Sequence, residues 1–176
     1  MPAAKRKVVV TLDTYLSVLA VVSSFCAIGI TFYQAYLQRT QQYASVMPVL
    51  DSYNTSRLLD GTHGYAILIA NNGLGPAFIE KVSFRYKDKR YNFINELKDA
   101  VINDEDSTAV TSDLWQGRVI PQGEKLEIIE SHSRKTESLF REGLSNRDIE
   151  IEILYRSVYG EIWKLRFPDG RNAKVE

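Results

Sequence analysis

Between Tyr15 and Leu37 the chain reads YLSVLAVVSSFCAIGITFYQAYL, and no charged residue occurs between Asp13 and Arg39. A helix needs about 20 apolar residues to cross the hydrocarbon core of a bilayer, and this run supplies them. The aromatic residues give a second sign. Tyr15 stands at one end and Tyr33 and Tyr36 at the other, separations that a helix converts to about 27–32 Å, the thickness of that core. Tyrosine suits both interfaces, since its ring and hydroxyl each face a compatible medium. A buried core helix would need an apolar partner, and no comparable run follows. A cleaved signal peptide shares the basic start, but the run is longer than an h-region and no A-x-A site follows it. A lipoprotein is disfavoured too, because the bulky Phe25 precedes Cys26. The expectation is a retained signal anchor, with residues 13–38 as a transmembrane helix.

Working toward the N-terminus, residues 1–12 form a basic segment carrying Lys5, Arg6 and Lys7. The positive-inside rule makes these three the topology determinants. The N-terminus is then cytoplasmic, and the domain lies outside the cytoplasm across the inner (plasma) membrane. Within the helix, Ala20, Ser24, Ala27 and Thr31 recur at helical period on one face. Small residues let two helices approach closely, so this face is the candidate for homo-oligomer packing.

Working toward the C-terminus, residues 39–46 form a polar juncture, 47–170 a domain and 171–176 a tail. The whole chain has 22 basic and 22 acidic residues, but from Leu37 onward the balance is 19 to 21. A domain that grips phosphates would carry a basic excess, so nucleic acid is not the expected partner. Cys26 is the only cysteine. The domain therefore has no internal disulfide and no cysteine-based zinc site.

Period two replaces helical period in the domain. A first strand is expected over Met47–Tyr53. In GYAILIANN, from Gly64, both alternating sets are apolar, which predicts a central strand covered on both faces. NNGLGP (71–76) is a dense turn signal, and Ala77–Tyr86 reads as the next strand. After the turn at 87–89 comes a short strand to Ile94. Residues 95–113 are polar and acidic and read as a loop or short irregular helix. Strands are expected over Leu114–Ile120 and Glu124–Ile129, and a minor helix over Thr136–Leu144. DIEIEILYR (148–156) alternates Ile149, Ile151, Ile153 and Tyr155 with Glu150 and Glu152, and returns through Tyr159-Gly160-Glu161 to Trp163, Leu165 and Phe167. Seven or eight short strands at this spacing predict a mainly β fold, an antiparallel β-sandwich with a minor helix.

The turn Asn71, Gly73, Pro76, Ala77 within Ala66–Tyr86 resembles the early strands of bacterial immunoglobulin-like adhesion and scaffold domains. The closing YRSVYGEIWKL is similar to the last hairpin of uncharacterised bacterial membrane-anchored immunoglobulin-like β-sandwich proteins. The resemblance covers about a third of the domain. It implies an immunoglobulin-like sandwich behind one N-terminal helix and names no activity.

No catalytic, metal or cofactor constellation is legible. His63 lies in a Gly-Thr-His-Gly turn and His132 beside a helix start, and no nucleophile elbow accompanies them. Gly73-Leu74-Gly75 joins two strands, whereas a phosphate loop needs a following helix. Asp104-Glu105-Asp106 lacks the spaced ligands and glycine of a calcium loop. Glu150 and Glu152 are accounted for as the wet face of a sheet. Asn54-Thr55-Ser56 matches a glycosylation acceptor, relevant only in a secretory host. Trp163 alternates into the core, while Trp115, beside Gln116-Gly117, is the candidate binding contact. The expected function is a non-enzymatic, membrane-anchored interaction module with no cofactor. Its partners would be the bilayer, an unknown protein and copies of itself. The alternative is a membrane effector of bacterial antiphage defence, whose domain senses a ligand or partner and whose helices cluster to disrupt the membrane.

Overall fold

The computed structural model describes residues 11–102, 109–112 and 114–175. The chain divides after Gln42 into a helical unit and a β unit. The first helix, α1, spans Leu12–Ser45, has no buried residue, and is long and apolar enough to cross a membrane. It takes in most of the juncture expected at 39–46, because Gln38–Ser45 contains neither glycine nor proline to stop it. Pro48 then begins extended chain. Lys5, Arg6 and Lys7 lie outside the described residues, as do Asp104, Glu105 and Asp106.

The β unit holds ten strands and two short helices among the described residues. One antiparallel sheet has the order β1 (Leu50–Arg57), β2 (His63–Asn71), β7 (Lys125–Ser131), β5 (Ala109–Thr111). The second has the order β10 (Arg171–Val175), β9 (Ile162–Phe167), β8 (Ile149–Arg156), β3 (Ala77–Tyr86), β4 (Lys89–Tyr91), with β6 (Val119–Ile120) also on β3. β2 is central and buried from Tyr65 to Asn71, as its two apolar faces require. β8 alternates buried and half-buried residues along its length.

A single apolar cluster joins Leu50, Ile67 and Ile69 of the first sheet with Phe84, Ile151, Ile153 and Leu165 of the second. Helix α2 (Ile94–Val101) adds Ile94, Leu97 and Val101, and α3 (Arg134–Ser145) adds Phe140 and Leu144. The Ser133 hydroxyl caps α3 by accepting from Thr136 N–H.

Several expected boundaries move. The first strand starts at Leu50 rather than Met47, because Val46–Val49 is held by the turn at 71–75: Asn72 N–H donates to Val49 O at 2.8 Å and Leu74 N–H to Met47 O at 2.9 Å. A Cβ on Gly75 would collide with the Val46 carbonyl, so this approach needs glycine. The strand expected over Leu114–Ile120 shrinks to Val119–Ile120, because Gly117 takes φ 91° and turns the chain after Trp115. The segment read as a tail from 171 is an edge strand that pairs with β9 from Arg171↔Arg166 to Val175↔Ile162. Two minor helices occur rather than one, since α2 forms within the acidic stretch.

Candidate functional site

On α1, Tyr15, Tyr33 and Tyr36 are all exposed and sit near the two ends of the uncharged run. Ala20 and Ser24 line a shallow depression of about 420 Å³ with Val21, Phe25 and Ile28. Ala27 and Thr31 lie further along the same face, and the Thr31 hydroxyl donates to Ala27 O at 2.8 Å. That hydroxyl therefore offers a partner helix its acceptor capacity, its proton being used within α1.

In the β unit, Trp115, the candidate contact, sits on the surface. It is 55% exposed and lines a cleft of about 430 Å³ with Lys81, Asn92, Phe93, Leu114 and Gln116. Phe93 is 64% exposed. Phe93 immediately precedes α2, whose inward residues Ile94 and Leu97 leave it outside. The Gly117 turn holds Trp115 opposite, and Arg118 stacks 5.0 Å from the Trp115 ring centre. Two aromatic faces bordered by an amine and two carboxamides can take an apolar side chain and hydrogen-bond the chain beside it. The exposure of Phe93 was not singled out from sequence, although a phenylalanine in a polar stretch is a visible signal.

The two histidines are surface residues, but the fold brings them together. β2 pairs with β7 in the register Tyr65↔Ser131, which places His132 Nδ1 3.0 Å from His63 O. They border a second cleft, of about 490 Å³, with Ser56, Tyr65, Ser131 and Glu137. Its polar groups are largely engaged with one another. Ser56 Oγ donates to Glu137 Oε1 at 3.2 Å and accepts from Arg141 at 2.7 Å. The Arg141 hydrogen bond is the main cause that lowers the Glu137 carboxyl pKa. Asp60, also near His132, is lowered first by the Thr62 N–H and hydroxyl. Burial raises the Tyr65 phenol. Among the described residues no serine hydroxyl is hydrogen-bonded to either imidazole, and no group of three or more His, Cys, Asp or Glu residues is placed to hold a metal ion.

Glu150 and Glu152 face outward on β8 and are occupied by cross-strand cations. Arg85 lies 2.5 Å from Glu150, and Lys164 and Arg166 lie 3.2 and 3.3 Å from Glu152. Burial pushes the Glu152 carboxyl up, but the combined effect of Lys164 and Arg166 outweighs it and leaves the pKa lowered.

No family model matches this chain, and no curated protein or solved structure matches it.

Proposed function

We propose that the chain is a non-enzymatic, single-pass membrane protein whose β unit, an immunoglobulin-like antiparallel β-sandwich, is an interaction module. The observation that carries this reading is α1: a long apolar helix with no buried residue has no core to enter, and the bilayer is the medium that suits it. The sandwich reading draws support from two antiparallel sheets that share one apolar cluster. The cleft between Phe93 and Trp115 is the proposed contact. Its aromatic walls and the Lys81 amine fit a protein segment that offers an apolar side chain next to a carboxylate. The domain is assigned to the outside of the plasma membrane on the basic flank at Lys5, Arg6 and Lys7.

Alkaline washing of membranes should leave the full chain in the pellet, and its release would overturn the anchor. A photo-crosslinking residue at position 115 should give one discrete adduct in cells that Phe93→Ala removes. A diffuse smear unaffected by that change would overturn the cleft.

One observation favours the second reading, a clustering membrane effector of antiphage defence. Ala20 and Ser24 open a depression on α1 that a second helix could fill. That reading suits a cytoplasmic domain. It requires toxicity on overexpression that Ala20→Leu with Ala27→Leu abolishes.

A further inference from the structure

The domain's near-neutral balance hides a separation of charge between its two sheet faces. Registers in the six-stranded sheet put Lys81 and Arg85 of β3, Arg90 of β4, Arg156 of β8, Lys164 and Arg166 of β9 and Arg171 of β10 on the outward face. The inward face is apolar, with Phe84, Ile151, Ile153 and Leu165. Among the described residues of these strands, only Glu80, Glu150 and Glu152 accompany these seven cations, and each is already paired: Glu80 with Arg156, Glu150 with Arg85, Glu152 with Lys164 and Arg166. Lys81, Arg90 and Arg171 are exposed and make no ion pair among the described residues. The outer face of the other sheet has the opposite sign, with Asp51, Glu127 and Glu130 against Lys125.

Two pairings on the basic face point to an outside anion. Arg85 stands directly across from Arg90, and Arg166 directly across from Arg171. Like charges in opposed positions destabilise an antiparallel sheet. Glu150 and Glu152 already offset Arg85 and Arg166, so Arg90 and Arg171 are the charges of these pairings left to meet an external anion. Lys81, Arg85 and Arg90 also border one hollow of about 220 Å³ on this face, lined too by Ser83 and by the cation-paired carboxylates of Glu150 and Glu152.

Resting on the membrane anchorage proposed above, we infer that this sheet face is a docking surface for anionic lipid headgroups. The tether favours lipid over any other polyanion. Residues 37–49 alone separate Tyr36 from β1, and the helical part to Ser45 rises about 14 Å. The short juncture tethers the domain to a helix proposed to enter the bilayer, and screening over about 8 Å at physiological salt means that only a face touching the headgroups feels their charge. Each basic residue at such a surface raises the docked-to-free ratio about fivefold.

The test uses the full chain reconstituted in vesicles. One label sits on the native Cys26 and reports α1. A second sits on Ser83→Cys in a Cys26→Ala background and reports the sheet face. In vesicles of about one-third phosphatidylglycerol, a headgroup-attached quencher should dim the Ser83→Cys label. In pure phosphatidylcholine, or at high salt, that dimming should disappear. Replacing Lys81, Arg90 and Arg171 together by glutamine should lower the docked-to-free ratio on the order of a hundredfold, while Lys125→Gln on the other sheet should change nothing. Equal quenching in both lipids, or no response to the triple substitution, overturns the inference. So does protection of the label by a polynucleotide when anionic lipid gives none. The Cys26 label should be dimmed by an acyl-chain quencher in either lipid. Failure there removes the anchor itself, whereas a dimmed Cys26 label with a silent Ser83→Cys label rejects the headgroup surface alone.

Discussion

Asn172, near the C-terminus, closes on the first strand of the domain: its Nδ2 donates to the Leu50 carbonyl at 2.6 Å. The Tyr155 hydroxyl completes a ring, accepting from Leu50 N–H at 3.4 Å and donating to Asn172 Oδ1 at 3.0 Å. Leu50 and Tyr155 are fully buried, whereas Asn172 is exposed and closes the ring from the surface. The ring links β1 of one sheet to β8 and β10 of the other. Asn172→Ala should therefore cost about 1–3 kcal/mol, the range for leaving a buried partner unsatisfied. Tyr155→Phe, which removes only the hydroxyl, should cost about 1 kcal/mol. Denaturant unfolding of the full chain in mild detergent measures both, and a change in neither would mean that β10 is dispensable.

Asn71 should be the most sensitive polar residue of the domain. It is fully buried and uses its whole carboxamide: Nδ2 donates to Gly75 O at 2.8 Å and Ile120 O at 2.9 Å, and Oδ1 accepts from Gly73 and Val49 N–H. Asn71→Ala strands several backbone groups at once and should cost about 3 kcal/mol or more. Asn71→Asp keeps the acceptor and loses the donor, so it should also destabilise. A midpoint shift under about 0.5 kcal/mol in either variant would contradict the arrangement.

The two tryptophans should separate by cost. Trp163 packs against the main core, and Trp115 lies on the cleft rim. Trp163→Ala should cost about 3 kcal/mol or more, and Trp115→Ala under about 1 kcal/mol. Emission gives a check without unfolding. Trp115→Phe leaves only the Trp163 signal and should shift the spectrum to the blue, whereas Trp163→Phe should shift it to the red.

Acid sensitivity should be traceable to Glu152. Burial raises its pKa, but Lys164 and Arg166 favour the carboxylate and together hold it below the ordinary glutamate range in the folded chain. A lowered folded-state value contributes stability that is present above the unfolded pKa and is lost as pH falls through the folded one. Stability of the native chain should therefore decline below about pH 4.3, the unfolded glutamate value, with a shallower decline in Glu152→Gln. Identical pH profiles for the two chains would show that the pair contributes nothing.

Strand positions were legible wherever a local pattern carried them. Ile149, Ile151 and Ile153 alternate with glutamates, and β8 follows them residue for residue. The doubly apolar run from Tyr65 to Ala70 gave a central strand, and Ala77–Tyr86 came out at its observed bounds. β10 was not legible because all five of its residues are exposed and it offers no apolar face to read. What holds it is pairing to β9 and the Asn172 ring. α2 was obscured because Glu96, Lys98 and Asp99 surround the spaced Ile94, Leu97 and Val101. The exposure of Trp115 was legible beside its glycine, but the cleft it shares with Phe93 and the meeting of His63 with His132 depend on how distant segments come together. The basic face was hidden for the same reason: net charge counts residues and does not say which side of a sheet they occupy.

The most direct test of the account is the location of the two termini in intact cells, read by compartment-specific reporters fused in turn ahead of Met1 and after Glu176. The account expects opposite compartments, with the N-terminus in the cytoplasm and the domain outside it. Both termini on the same side would contradict it, since α1 would then not cross the membrane.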